Sequence, residues 1–338
     1  MKAKTRALAL GLTTVLFAMP LTSTADTILV QPGDSIQDAI DAAVNGDVVS
    51  VAAGTYHEDI DLRGKAISVV GAGADSSVIH GTGTGPVVTI ARGEGTDTVV
   101  DSFTIRGGVA SRGGGVYISG SSPILVRNII TGNLASARGS GVYLEASNAR
   151  LYNNLIVHNG RAGTGDPHGV EILNASPWLV NNTIAYGDSN GIIIRGRSVP
   201  LVMNNVIARN GSEVNGSLRG RGICDFSIGG TAMIHYNVFH RNLVGALLTG
   251  GTDYLRIRVA QNSVPPPRLF ENKDGAPRFR GPRLSDPDQA VLPDGFHLDT
   301  ERRSTAIDAG NPEPIHDDLD GTRNDAGFTG GPFAMPVR

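Results

Sequence analysis

The chain has 338 residues, with 29 Lys and Arg against 32 Asp and Glu, 45 glycines, 5% aromatic residues and one cysteine, Cys224. A mildly acidic, lysine-poor chain is a poor partner for nucleic acid or an anionic membrane. A single thiol excludes an internal disulfide, so the fold must rest on its core alone.

The first element is a targeting segment. Lys2, Lys4 and Arg6 precede an apolar run from Ala7 to Leu21, and Ser23-Thr24-Ala25 supplies the small residues at a cleavage point. This reads as a signal peptide over 1–25, too short and wrongly flanked for a transmembrane span. The expected product is secreted or periplasmic, and losing those three charges leaves 26 basic against 32 acidic residues. A strand follows at Thr27–Val30. Asp34-Ser-Ile-Gln37 then reads as a capping box opening a short helix, with Ile36, Ile40 and Ala43 on one face and Asn45-Gly46 as the stop. Strands are expected at Asp47–Val51, near Ile60, at Ile67–Val70, at Val87–Ile90 and at Thr98–Ile105.

Two repeats run through the middle of the chain. Gly-apolar-x-apolar recurs at Gly115, Gly141, Gly169 and Gly191, and more loosely at Gly222 and Gly245, with spacings of 26, 28, 22, 31 and 23. Asn followed two residues later by an apolar residue recurs at Asn128, Asn154, Asn182, Asn205 and Asn237, with spacings of 26, 28, 23 and 32. Two markers keeping step define a structural repeat. A period near 25 holds two or three strands and their turns but no crossover helix. The economical solution is all-β: a right-handed parallel β-helix, one strand thick, with coils stacked at about 4.8 Å. Its stacked asparagines would bond one another's amides and close turns, a structural task. The β-helix is assigned to 26–262, with the N-terminal helix as its cap. From Pro265 the repeat gives way to an irregular segment, 263–338, expected to lie on the β-helix.

The stretch DSIQDAIDAAVNGDVVSVAAGTYHEDIDLRGKAISVVGAG resembles the opening of the pectin-lyase-like, right-handed β-helix superfamily. The tail STAIDAGNPEPIHDDLDGTRNDAGFTGG resembles the terminal segment of secreted bacterial members. The resemblance implies the fold. It leaves activity open, because that superfamily holds lyases, hydrolases, epimerases and adhesins.

Alternation along the Gly repeat defines an outward face. Its first column is Tyr117, Tyr143, Glu171, Ile193, and its second is Ser119, Glu145, Leu173, Arg195. Aromatic rings beside carboxylates and arginine suit sugar binding, so Tyr117, Glu145, Glu171, Arg197 and Arg221 are the substrate-binding candidates. Breaking or epimerising a uronate polymer removes the proton at C5 beside a carboxylate. That needs a cation on the carboxylate, a base and an acid. Arg195, His168 and Tyr143 are the candidates for those roles. Asp166-Pro-His168 is similar to a motif of mannuronan C5-epimerases, and GIIIRGR places Arg195 as that family places an arginine. The similarity implies that Asp166 belongs to the site. The motif departs from the family in following Thr164-Gly165 and in standing in a turn.

The patterns of polygalacturonases are missing, and lysine scarcity argues against a lysine base. In the tail, Asp318, Asp320 and Asp325 resemble the ligands of a calcium loop, or else the Asx turns of a closing segment. No cofactor is required by this chemistry, and calcium is the ion the tail would take. The expected protein is a monomer acting on an acidic polysaccharide by lyase- or epimerase-type chemistry. Its rival is a non-catalytic envelope module binding a glycan or a protein.

Overall fold

The computed structural model describes residues 25–160, 167–214, 216–229, 232–257, 269–277, 304–313, 324–327 and 330. Residues 1–24 of the expected signal peptide, together with Asp166, Asp318 and Asp320, lie outside the described residues.

Each coil of the parallel β-helix contributes three strands, one to each of three long sheets. The first sheet has ten strands, from Thr27–Val30 to Leu269–Phe270. The second has nine, from Gly54–His57 to Lys273–Asp274. The third also has nine, from Ile60–Asp61 to Gly245–Thr249 with Thr252–Tyr254 folded back antiparallel on its last coil. Inward side chains of all three sheets form one core, in which Ile79, Ile118, Leu144, Ile172, Leu179 and Ile194 are fully buried.

The Asn repeat is a ladder through that core. From Asn128 through Asn154, Asn182, Asn205 and Asn237 to Asn272, each Nδ2 donates to the next coil's Oδ1 at 2.9–3.2 Å. Each backbone N–H uses the same acceptor. The second amide proton goes to a carbonyl of the preceding coil, as from Asn182 to Leu151 O at 2.9 Å. A second, shorter ladder joins Asn133 to Asn159 and Asn210 to Asn242, interrupted at Gly187. The Gly repeat has a different cause. A Cβ on Gly115, Gly141, Gly169, Gly191 or Gly222 would stand 2.5–2.8 Å from the carbonyl oxygen of the following coil, closer than any side chain tolerates.

Some local readings need correction. Thr98–Ile105 is two strands of different sheets, Val99–Asp101 and Thr104–Arg106, parted where Ser102 turns left-handed at φ 63°. The helix Ile36–Ala42 does seal the first coil, with Ile36 and Ile40 fully buried. Its cap is Ser35, whose Oγ accepts from Asp38 N at 3.1 Å. Gln37 does not close a capping box: Glu58 of the next coil accepts from Ile36 N and Gln37 N, at 2.7 and 3.0 Å. Two small additions flank the third sheet: Val109–Arg112 paired with Leu134–Arg138, and the hairpin of Ser212–Val214 and Ser217–Arg219. Tail residues 304–313, 324–327 and 330 lie on the second sheet's outer face. There Ala306, Ala309 and Ala326 cover Ile129, Leu155, Val206 and Val238.

Replacing Asn182 by alanine strips a buried carbonyl and two buried donors of their partners. At roughly 1–3 kcal/mol for an orphaned group, stability should fall by about 2–3 kcal/mol in urea titration, and amide exchange should accelerate at Asn154 first. A loss under about 0.5 kcal/mol would show that the ladder adds no stability.

Candidate functional site

The third sheet carries the site because its outward side chains stand in strict register. Tyr117 pairs with Tyr143, Tyr143 with Glu171, and Glu171 with Ile193. Two residues on, Ser119, Glu145, Leu173, Arg195 and Phe226 form the second column. These positions face outward, yet Tyr143 and Glu171 are both 0% exposed.

The reason is a layer of arginines. Arg112 and Arg138 come from the two-stranded addition beside the sheet. The Arg112 guanidinium lies 5.7 Å from the centroid of the Tyr143 ring and 3.4 Å from a Glu145 oxygen. Glu171 Oε1 accepts from Arg138 Nη1 at 2.8 Å and from Arg195 Nε at 3.1 Å. The carboxylate is sealed, while the Arg112, Arg138 and Arg195 side chains remain 46%, 36% and 32% exposed. Tyr117 stacks on Tyr143 at 5.8 Å with the rings 11° apart, and exposed Phe226 lies under the Arg195 guanidinium. Charge is thus presented at the surface by cations, over aromatic rings.

Two atoms in this cluster make no hydrogen bond: Tyr143 Oη and Glu171 Oε2. Burial pushes the Tyr143 hydroxyl up to about 12, with the Glu145 charge adding to the shift. It therefore stays protonated at neutral pH. Burial also raises the Glu171 carboxyl, against the opposing pull of Arg195 and Arg138.

The other sequence candidates are placed differently. His168 is 2% exposed, at the foot of the strand Val170–Leu173, with Nδ1 3.3 Å from Asn190 Nδ2. Its carbonyl accepts from Ser140 N at 2.8 Å. It is enclosed at the turn before Val170, while the Arg195 side chain is partly exposed. Arg221 is spent on Asp253, donating from Nε and Nη2 at 2.5 Å each. Arg197 is exposed, and its N–H donates to Asn174 Oδ1 at 3.0 Å. In the tail, Asp325 Oδ1 accepts from Asp308 N at 2.7 Å, a bond that joins two tail segments 17 residues apart. Cys224 is buried, and desolvation pushes its thiol up to about 11.

Arg112, Arg138 and Phe226 are absent from the sequence reading. The two arginines had a signal: each stands three residues before a repeat glycine, in RGGGVY and RGSGVY.

Comparison with known proteins places this geometry. A family model described as NosD, periplasmic copper-binding protein, matches residues 40–255. No curated protein matches the sequence. Among solved structures, pectate lyase Pel9A is similar with a TM-score of 0.54 at 14% identity, covering 90% of this chain and 96% of its own. A mannuronic acid specific family 6 polysaccharide lyase from human gut microbiota has a TM-score of 0.39 at 15% identity over 64% of this chain. A pectin methylesterase from carrot has a TM-score of 0.39 at 14% identity over 85% of this chain and 91% of its own. The chain spans 57% of the length of the mannuronic acid lyase. At 14% identity the likeness to Pel9A is one of fold alone, the right-handed parallel β-helix.

The copper in the family's description can be tested against the donors present. Among the described residues no three His, Cys, Asp or Glu side chains gather as metal ligands. These residues do not fit a copper centre.

Glu171 also dictates a pH dependence. Its native pKa lies above the ordinary 4.5, so the native state holds the proton more tightly than the unfolded chain. Its contribution is full below pH 4.5 and is lost as pH rises through the native value. Thermal melts from pH 4 to 8 should therefore show a downward slope in the parent that flattens in Glu171→Gln. Equal slopes would refute the raised value.

Proposed function

Because the chain belongs to the NosD family, whose description places it in the periplasm, we propose that it is an extracytoplasmic β-helix that binds an acidic, uronate-type polysaccharide across its third sheet. One observation carries this reading: three partly exposed guanidiniums share one face with the stacked Tyr117 and Tyr143 rings, Arg112 over Tyr143, Arg195 over Phe226, and Arg138 with Arg195 on Glu171. Arginine matches a carboxylate as a two-pronged donor, and a sugar's apolar face lies well on Tyr117 and Phe226. A polymer running along the helix axis would meet repeated side chains about every 4.8 Å, so successive residues could use successive coils.

A second reading, lyase- or C5-epimerase-type chemistry at the same face, is favoured by the unspent Tyr143 hydroxyl and Glu171 Oε2. The hydroxyl is a neutral proton donor at pH 7, and a substrate carboxylate competing for Arg112 and Arg138 would uncover it. The enclosure of His168 weighs against it as the base. Binding is accordingly the reading the geometry supports best. No step runs through a metal.

The test is proton NMR of polymannuronate and polygalacturonate mixed with the mature protein. Broadening of polymer signals that Arg195→Ala or Arg138→Ala weakens at least tenfold, about 1.4 kcal/mol, supports binding. New unsaturated ends or inverted C5 centres, lost in Tyr143→Phe, would establish the catalytic reading. Spectra unchanged for both polymers would refute the two together.

A further inference from the structure

The Tyr143 and Glu171 oxygens are not alone in lacking a hydrogen bond. A second group stands on the outer face of the second sheet: Arg106 Nε, Thr131 Oγ1 and His158 Nε2, each buried and each without a partner. Orphaned polar atoms are uncommon in native interiors, and several in one place call for a bound species.

Register sets Arg106 beside Thr131 and places His158 one coil on and one residue along. Ile129 pairs with Thr104 and Ile130 with Ile105, which sets Thr131 beside Arg106. Thr131 pairs in turn with Val157, and His158 follows it in the chain. The carbonyl of His158 accepts from Gly132 N at 3.1 Å, fixing His158 next to the residue after Thr131. Two coil spacings, about 9.6 Å, separate the backbones of Arg106 and His158, within the combined reach of their two side chains. Thr131 is 3% exposed.

The electrostatics select the sign of the guest. Among the described residues Arg106 forms no ion pair. On its other side it pairs with His80, whose Nδ1 is 3.0 Å from Gly81 O. His158 stacks on Tyr186 at 5.2 Å, and the Arg209 guanidinium lies over that ring. A fixed cation, a hydroxyl and imidazoles, with another guanidinium beyond, are the donor set of an anion site.

We propose that Arg106, Thr131 and His158 form an oxyanion-binding site for a single sulfate-, phosphate- or carboxylate-type group, separate from the third-sheet face. The guanidinium pairs with the charge, and Thr131 Oγ1 and His158 Nε2 complete its hydrogen bonds. A trapped water is the rival explanation, and it predicts no response to anions.

The experiment measures the imidazole NMR signals of His158 and the melting temperature at constant ionic strength. Chloride is replaced in turn by sulfate, phosphate, acetate or digalacturonate. A saturable His158 shift with a rise in melting temperature is expected for at least one of these anions. Preference for the tetrahedral ions would identify the group as sulfate or phosphate, and preference for the carboxylates as a uronate. Arg106→Gln should abolish the response. Thr131→Val should abolish it too while melting at the same or a higher temperature in chloride, because it deletes a buried hydroxyl that has no partner. If Arg106→Gln fails to fold, Thr131→Val decides alone. No saturable shift by about 10 mM, the weak end of specific binding, would overturn the proposal. So would an undiminished response in Thr131→Val. Arg195→Ala should leave the response intact, so failure of the third-sheet reading and failure of this one are separable.

Discussion

Coil stacking at strand spacing is the constraint on which the rest depends. Every coil must approach the next to about 4.8 Å along three sheets at once, with no disulfide to hold the stack. The glycines of the third sheet permit that approach, since a Cβ there would collide with the next coil's carbonyl. The asparagine ladder then satisfies the backbone at the turn between the first and second sheets. Each amide serves the coil before it and the coil after it, so an error in one coil's register would cost bonds in both neighbours. Local bonds of this kind replace the long-range crosslinks that a single-cysteine chain cannot make.

Strict register is also what builds a site. A side chain on one coil is placed beside its counterpart on the next without any loop having to fold over it. Tyr143 and Glu171 are 28 residues apart in the chain and direct neighbours in the sheet. The same economy explains the burial of Glu171. A carboxylate leaving water pays a desolvation cost of several kcal/mol, which its two arginines must offset, and they can do so only while Oε1 accepts from both. Burial still dominates, as the raised carboxyl shows. The arrangement stores an unfavourable charge under a cationic surface. A ligand carboxylate offers those arginines a second partner and competes with Glu171 for them.

How much of this was legible depended on periodicity. The Gly and Asn markers, spaced alike, gave the coil, and alternation within each Gly unit gave the columns Tyr117–Tyr143–Glu171–Ile193 and Glu145–Leu173–Arg195 in their observed order. Exposure was not legible. A period-2 pattern says which way a side chain points, not what lies upon it, and Arg112 and Arg138 arrive from outside the three-sheet repeat. Short polar strands such as Gly54–His57 and Ser77–His80 carry no apolar alternation to betray them. The break at Ser102 was hidden because Val99, Val100, Phe103 and Ile105 carry an apolar pattern across it, so the strands Val99–Asp101 and Thr104–Arg106 read as one. The helix cap shifted because a tertiary carboxylate, Glu58, does what the local Gln37 was expected to do.

The family's description and the residues of this chain point to different levels of the molecule. The NosD match and the likeness to pectate lyase Pel9A speak to the fold, which rests on the inward half of each coil: the core columns, the ladder and the glycines. Those positions answer to packing and leave little freedom. Outside the columns that the tail covers, the outward half answers to solvent and ligand, so it can vary while the fold persists. Here that half presents guanidiniums, tyrosines and orphaned hydroxyls, and no gathering of metal ligands among the described residues. Function in such a protein has to be read column by column from the outward side chains, and the anion sites proposed on both sheets follow from that reading.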